Sequence, residues 1–98
     1  MAVLFQMTVP MSTDQYDTLN AALQKHAPGI FAGCLAHVAV PVDGGMQISD
    51  LWESTDALEA FQARMMPIAA EVGVAPPPGG QAPEPVVSQV HAYWLPGA

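Results

Sequence analysis

From residue 3 to residue 9 the chain reads VLFQMTV, a run of β-forming side chains that stops at Pro10. Proline has no N–H to give to a ladder, so the pattern predicts a first strand over 3–9. The apolar period then lengthens. Tyr16, Leu19 and Leu23 recur at helical spacing, Ser12 and Gln15 have the spacing of a capping box, and Pro28-Gly29 closes the pattern, which predicts a helix over about 13–26. Next, GCLAHVAVPV and MQISDLWE flank Asp43-Gly44-Gly45, the arrangement of an antiparallel hairpin whose tight turn needs a glycine's positive φ. Ser54 is placed to cap a second helix, with Asp56 and Glu59 near its positive end and an apolar stripe of Leu58, Phe61, Met65, Ile68 and Val72. Met66 falls off that stripe. Pro67 lies within it, which predicts a kink or a fresh short helix from Pro67 to Gly73. A proline- and glycine-rich loop over 75–85 follows, and VVSQVHAYW reads as a closing strand.

The order β-α-β-β-α-β is that of a ferredoxin-like α+β domain over 1–98, a four-stranded antiparallel sheet with both helices on one face. The other face of such a sheet ordinarily meets water and reads polar at alternate positions. In strand two, however, both sets are mostly apolar, Leu35 and Ala39 against Cys34, Ala36, Val38 and Val40, and strand one is read as having the same habit. Both faces are therefore expected to be covered, the second by the sheet of another copy of the chain.

Composition strengthens that expectation. Of 98 residues, 51% are hydrophobic and 11% charged, against roughly 25% charged in an average soluble domain. A chain this short leaves about two-fifths of its unfolded surface exposed when it folds alone, so large apolar patches would face water, and a homodimer is expected. The net charge of −7, with Lys25 and Arg64 as the two basic residues besides histidine, argues against nucleic acid and anionic membrane surfaces as partners. Cys34 is the one cysteine and cannot form an internal disulfide, and MAVLFQMTVP has neither the basic region nor the cleavage site of a signal peptide, so a cytoplasmic protein is expected. The longest apolar run, IFAGCLAHVAVPV, is broken by glycine, histidine and proline and falls short of the ~20 residues of a spanning helix.

Hairpin register decides which polar side chains can meet. A two-residue turn at Asp43-Gly44 sets His37 opposite Asp50, and one at Gly44-Gly45 sets it opposite Trp52; in both, all three share a face. A three-residue turn would bring His37 to Leu51 instead. A two-residue turn is expected. His37 beside Asp50 in an apolar setting has the makings of a general base towards an acidic phenol or carbon acid, and equally of a structural pair. His91 falls in phase with Gln89 and Tyr93, placing it in the pocket or, by preference, at a dimer seam. Tyr16, Phe61 and Met65 point inward at helical spacing, as core or as contacts to a flat aromatic ligand. Cys34 reads as a small buried hydrophobe. No metal-ligand spacing, phosphate-binding glycine loop or dinucleotide fingerprint is present, so no cofactor or metal is expected.

The stretch DLWESTDALEAF, with Trp-Glu-Ser ending strand three and a helical phenylalanine nine residues after the tryptophan, resembles the antibiotic biosynthesis monooxygenase-like family of dimeric α+β barrels. The resemblance spans nearly the whole chain. It implies two sheets facing one another across a dimer and a pocket between sheet and helices in each subunit. The activities it implies are cofactor-free oxygenation of anthrone-like polyketides to quinones and haem degradation, alongside members without assigned activity. The family's pocket tryptophan carries over to Trp52, which without the resemblance would read as core. The haem-ligating histidine of the haem-degrading branch falls at Gln62, which disfavours that activity, and the strand-one asparagine of these enzymes has its counterpart at best in Gln6. The function expected is a cofactor-independent monooxygenase, or a related cyclase or isomerase, with His37 and Asp50 catalytic and Trp52, Phe61, Met65, Tyr16 and His91 binding a small aromatic substrate. The alternative is a non-catalytic dimeric ligand-binding or accessory protein.

Overall fold

The computed structural model describes residues 1–74 and 84–96. Its elements are β1 (Val3–Val9), α1 (Thr13–Gln24), a 3-10 turn (Gly29–Phe31), β2 (Cys34–Val42), β3 (Gly45–Trp52), α2 (Thr55–Glu71) and β4 (Val86–Gln89). The strands form one antiparallel sheet in the order β2-β3-β1-β4. This is the expected ferredoxin-like arrangement.

Local chemistry sets the helix starts. The Ser12 side chain accepts from the Gln15 N–H and the Gln15 side chain accepts from the Ser12 N–H, the reciprocal pair of a capping box. Ser54 accepts from the Ala57 N–H in the same way at the head of α2. α1 stops at Gln24, short of the expected 26. α2 runs on through Pro67, so of the two outcomes expected there the separate short helix does not form. Proline there deletes the bond to the Ala63 carbonyl, and both Ala63 and Pro67 are exposed, so water can serve that carbonyl.

The hairpin connection is Asp43-Gly44, with Val42 opposite Gly45 and Gly44 at φ +87°. His37 consequently faces Asp50. At the start of β2, Leu35 is an extra residue: Cys34 pairs with Trp52 while Ala36 pairs with Leu51. This bulge corrects the simple alternation, since Cys34 now shares a face with His37 and Ala39 rather than with Ala36 and Val38. Gly33, just ahead of it, lies at φ +88° with its carbonyl 2.8 Å from the Glu53 N–H, and a Cβ there would sit 2.5 Å from the Ala57 Cβ. A residue with no side chain lets the heads of β2 and α2 close on each other.

The core lies between the sheet's inner face and the helices, with Val3, Phe5, Trp52 and Leu58 buried together and Met7, Cys34, Ile48, Ala57 and Phe61 packed around them. The outer face is different. Val38, Val40, Val42 and Val86 are 54, 43, 38 and 58% exposed at its two edges, while Gln6, Thr8 and Gln47 are exposed along its centre. Strand one is therefore not apolar on both sides: its outward positions are Leu4, Gln6 and Thr8.

β4 is also shorter than expected. It ends at Gln89, and after the bond from the Val90 N–H to the Ala2 carbonyl, His91, Tyr93 and Trp94 continue outside the strand and exposed. Residues 75–83 of the proline- and glycine-rich loop lie outside the described residues. Among the described residues, no helix is long and apolar enough to cross a membrane.

Candidate active site

Asp50 sits mid-sheet on the inner face, between Phe5 of β1 and His37 of β2, and is 5% exposed. A carboxylate so deeply buried requires a hydrogen-bonding partner. The His37 ring supplies it, with Nδ1 donating to Asp50 Oδ1. On the far side of the same ring, Nε2 lies 2.6 Å from the Tyr16 hydroxyl, and the two rings are within 6° of parallel. Tyr16 comes from α1. Three elements thus contribute to one row, Asp50–His37–Tyr16, running from a buried carboxylate through an imidazole whose side chain is 42% exposed to a half-buried phenol.

The row sets the protonation of its members. The hydrogen bond from His37 to Asp50, with the attraction of the carboxylate charge, raises the His37 pKa above the usual imidazole value, and burial pulls against it. Tyr16 is raised as well, first by burial and then by the negative charges of Asp50 and Asp17, so its hydroxyl keeps its proton at neutral pH. With Asp50 accepting from Nδ1–H, a neutral His37 has its lone pair at Nε2, where the Tyr16 O–H donates to it.

Next to this row an aromatic series lines the inner face. Trp52 meets Phe61 at a centroid distance of 5.0 Å, and Phe61 meets Phe31 at 6.0 Å. Trp52 is 1% exposed, so it fills the core rather than walling open space, and its indole N–H is buried without a hydrogen-bond partner among the described residues. Phe61, Met65 and Gln62 are half-buried along α2. Cys34 is half-buried beside Trp52; burial and the Asp50 charge raise its pKa and keep it a thiol, and its Sγ lies 3.5 Å from the Ala36 carbonyl.

The sequence thus located His37, Asp50 and Trp52 on one face, and Tyr16 and Phe61 against it. It did not foresee the Tyr16–His37 bond, or Phe31, whose position after α1 follows no period. His91 is not brought to this group: it is exposed and lies beyond the end of β4. Gln6, the one strand-one counterpart the resemblance offers for the family's asparagine, projects on the opposite face from Trp52, since its cross-strand partner is Ser49. Also unforeseen is an open cleft of about 590 Å³ lined by His26, Gly29, Ile30, Arg64 and Ile68, where Arg64 Nη1 donates to the Gly29 carbonyl at 3.2 Å. Among the described residues, no group of three or more His, Cys, Asp or Glu side chains could hold a metal ion.

No family model and no curated protein matches the chain. Solved structures do. A conserved protein from Methanosarcina mazei Go1 matches with a TM-score of 0.65 at 7% identity, over 91% of this chain and 92% of that one. The monooxygenase from the gene ActVA-Orf6 of Streptomyces coelicolor, solved with nanaomycin D, matches at 0.55 and 20% identity, over 97 and 90%. SnoaB, a cofactor-independent oxygenase from Streptomyces nogalater, matches at 0.56 and 16%, over 97 and 95%. With matches of the same kind to antibiotic biosynthesis monooxygenases of Chloroflexus aurantiacus and Deinococcus radiodurans, the chain has the fold of antibiotic biosynthesis monooxygenase-like structures.

Proposed function

We propose that this protein is a small, cytoplasmic, cofactor-independent enzyme acting on an acidic aromatic or polyketide-like metabolite, as a quinone-forming monooxygenase or a related cyclase or isomerase, and that it works as a homodimer. The observation that carries this reading is the pairing of a partly exposed imidazole with a 5%-exposed carboxylate on the inner sheet face. The Asp50 carboxylate fixes the His37 tautomer and stabilises the imidazolium that forms when the ring takes a proton. A substrate such as anthrone, once deprotonated at carbon, is electron-rich enough to reduce dioxygen. Its CH₂ becomes a carbonyl and one oxygen atom leaves as water, so substrate and dioxygen balance without another reductant.

The fold shared with a monooxygenase solved with nanaomycin D and with a cofactor-independent oxygenase supports this class of chemistry. The exposed outer valines support the dimer, a second sheet being what would cover them.

Oxygen uptake with anthrone tests the enzyme reading. The wild type is expected to consume dioxygen, and His37→Ala to do so about 10²–10⁴-fold more slowly. An unchanged rate in His37→Ala would remove the base. Uptake with no anthrone or phenol would favour the second reading, a dimeric ligand-binding protein, which the close packing of Trp52 in the core also suits.

A further inference from the structure

His37 is not free to meet a substrate directly. Its Nδ1 is committed to Asp50, and its remaining nitrogen faces the Tyr16 hydroxyl at 2.6 Å. Whatever proton reaches this imidazole must either displace Tyr16 or pass through it. The phenol is well suited to passing one on, because a hydroxyl accepts on one lone pair while donating through its hydrogen. It also stands on a different element, α1, at the end of the row away from Asp50.

We infer that Tyr16 is the group that touches the substrate, and that Asp50–His37–Tyr16 is a proton relay whose outer member is the phenol. This rests on the proposed function. In the step itself, the Tyr16 oxygen takes the acidic proton of the substrate as its own proton moves to His37 Nε2. Tyr16 is neutral before and after. The substrate is left as its anion, and the positive charge comes to rest on the imidazolium beside Asp50. No oxidant enters until the anion meets dioxygen. Asp50 and His37 then act through Tyr16, as a carboxylate and an imidazole act through a hydroxyl in the hydrolase triads. A protonated resting tyrosine is what this step needs, and burial together with the charges of Asp50 and Asp17 keeps it so.

The test is Tyr16→Phe, which keeps the ring and removes the hydroxyl, assayed by oxygen uptake with anthrone beside the wild type and His37→Gln. If Tyr16 relays the proton, kcat falls about 10²-fold with KM and thermal midpoint little changed, and the proton inventory in H₂O–D₂O mixtures, curved in the wild type because two protons move together, becomes linear. A kcat within twofold of wild type, or higher because Nε2 has been freed, overturns the relay while leaving His37 as the base. If His37→Gln is also unimpaired, His37 is not the base, and if the wild type consumes no oxygen, the monooxygenase reading fails; either outcome removes the relay. The resting contact is read without any substrate from the ¹⁵N NMR resonance of His37 Nε2. This resonance is expected to move in Tyr16→Phe, and a resonance that does not move overturns the inference.

Discussion

The two faces of this sheet invert the ordinary distribution of charge and grease. The inner face, covered by helices, holds a carboxylate at its centre, Asp50 at 5% exposure, whereas the outer face presents Val38, Val40, Val42 and Val86 to solvent at 38 to 58%. A buried charge is expensive unless it is paired and hydrogen-bonded. A row of exposed valines is unfavourable unless something covers it. The inner anomaly is resolved within the chain, by His37 and Tyr16. No described residue resolves the outer one, and that contrast is what the proposed site and the proposed dimer each rest on: a polar group held in the core by its own neighbours, and an apolar row left bare.

Truncation should show the contrast at its largest. Trp52 is 1% exposed, packs on Phe61 and belongs to the central cluster, so Trp52→Ala is expected to cost about 3–5 kcal/mol, a large share of a small domain's stability. Val38→Ala on the outer face should cost a few tenths of a kcal/mol in the isolated chain, within the ~0.5 kcal/mol spread of surface substitutions. Urea unfolding at low protein concentration measures both. Similar costs at the two positions would mean that the faces are not as unequal as their exposures.

A smaller effect separates Asp50 from an ordinary core residue. The folded-state pKa of His37 lies above the unfolded imidazole value of about 6.5 because of the hydrogen bond to Asp50. The stability contributed by the pair is therefore fully present below that unfolded value and is lost as pH rises through the folded one. The urea midpoint of the wild type should fall across this window, and the fall should flatten in Asp50→Asn. For the proposed role of His37 as a base the sign reverses, since a base must be neutral to accept a proton: kcat/KM should rise with pH through the same window. A midpoint with equal slope in both proteins would show that the pair does not couple protonation to folding.

Much of this arrangement is legible in the sequence. A two-residue turn within Asp43-Gly44-Gly45 sets His37, Asp50 and Trp52 on one face, leaving the structure to choose Asp50 over Trp52 as the partner of His37, and Ser12 and Ser54 set the helix starts, because each is a short-range device whose geometry follows from a few neighbouring residues. What stayed hidden depends on longer-range packing. The bulge at Leu35 has no local signal in an apolar run and moved Cys34 to the other face. The Tyr16–His37 bond depends on how α1 lies across the sheet, which periodicity does not determine. A new helix starting at Pro67 is one of the two outcomes the pattern allows, and it does not form because at an exposed turn water offsets the lost bond. β-forming composition alone extends the last strand through Trp94, yet its pairing with β1 stops at Gln89, where β1 itself begins.

The outer face yields the smallest effect on the isolated chain and the most informative one on the assembly. Val38 and Val40 lie on the edge strand β2, exposed and in phase with Val42. Replacing Val40 with Glu removes little buried area in a monomer, so stability at high dilution should change by no more than about 0.5 kcal/mol. If a second copy covers this face, the picture differs at working concentration. The wild-type melting temperature should rise with protein concentration, because association stabilises only the folded chain, and Val40→Glu should abolish the rise by forcing a charge into the seam. Sedimentation should then report a dimer for the wild type and a monomer for the variant. A wild-type melting temperature independent of concentration, with a monomer in the centrifuge, would mean that the valines do meet water. The central polar row of Gln6, Thr8 and Gln47 would then mark the outer face as solvated, and the contrast with the inner face would be one of polarity without assembly.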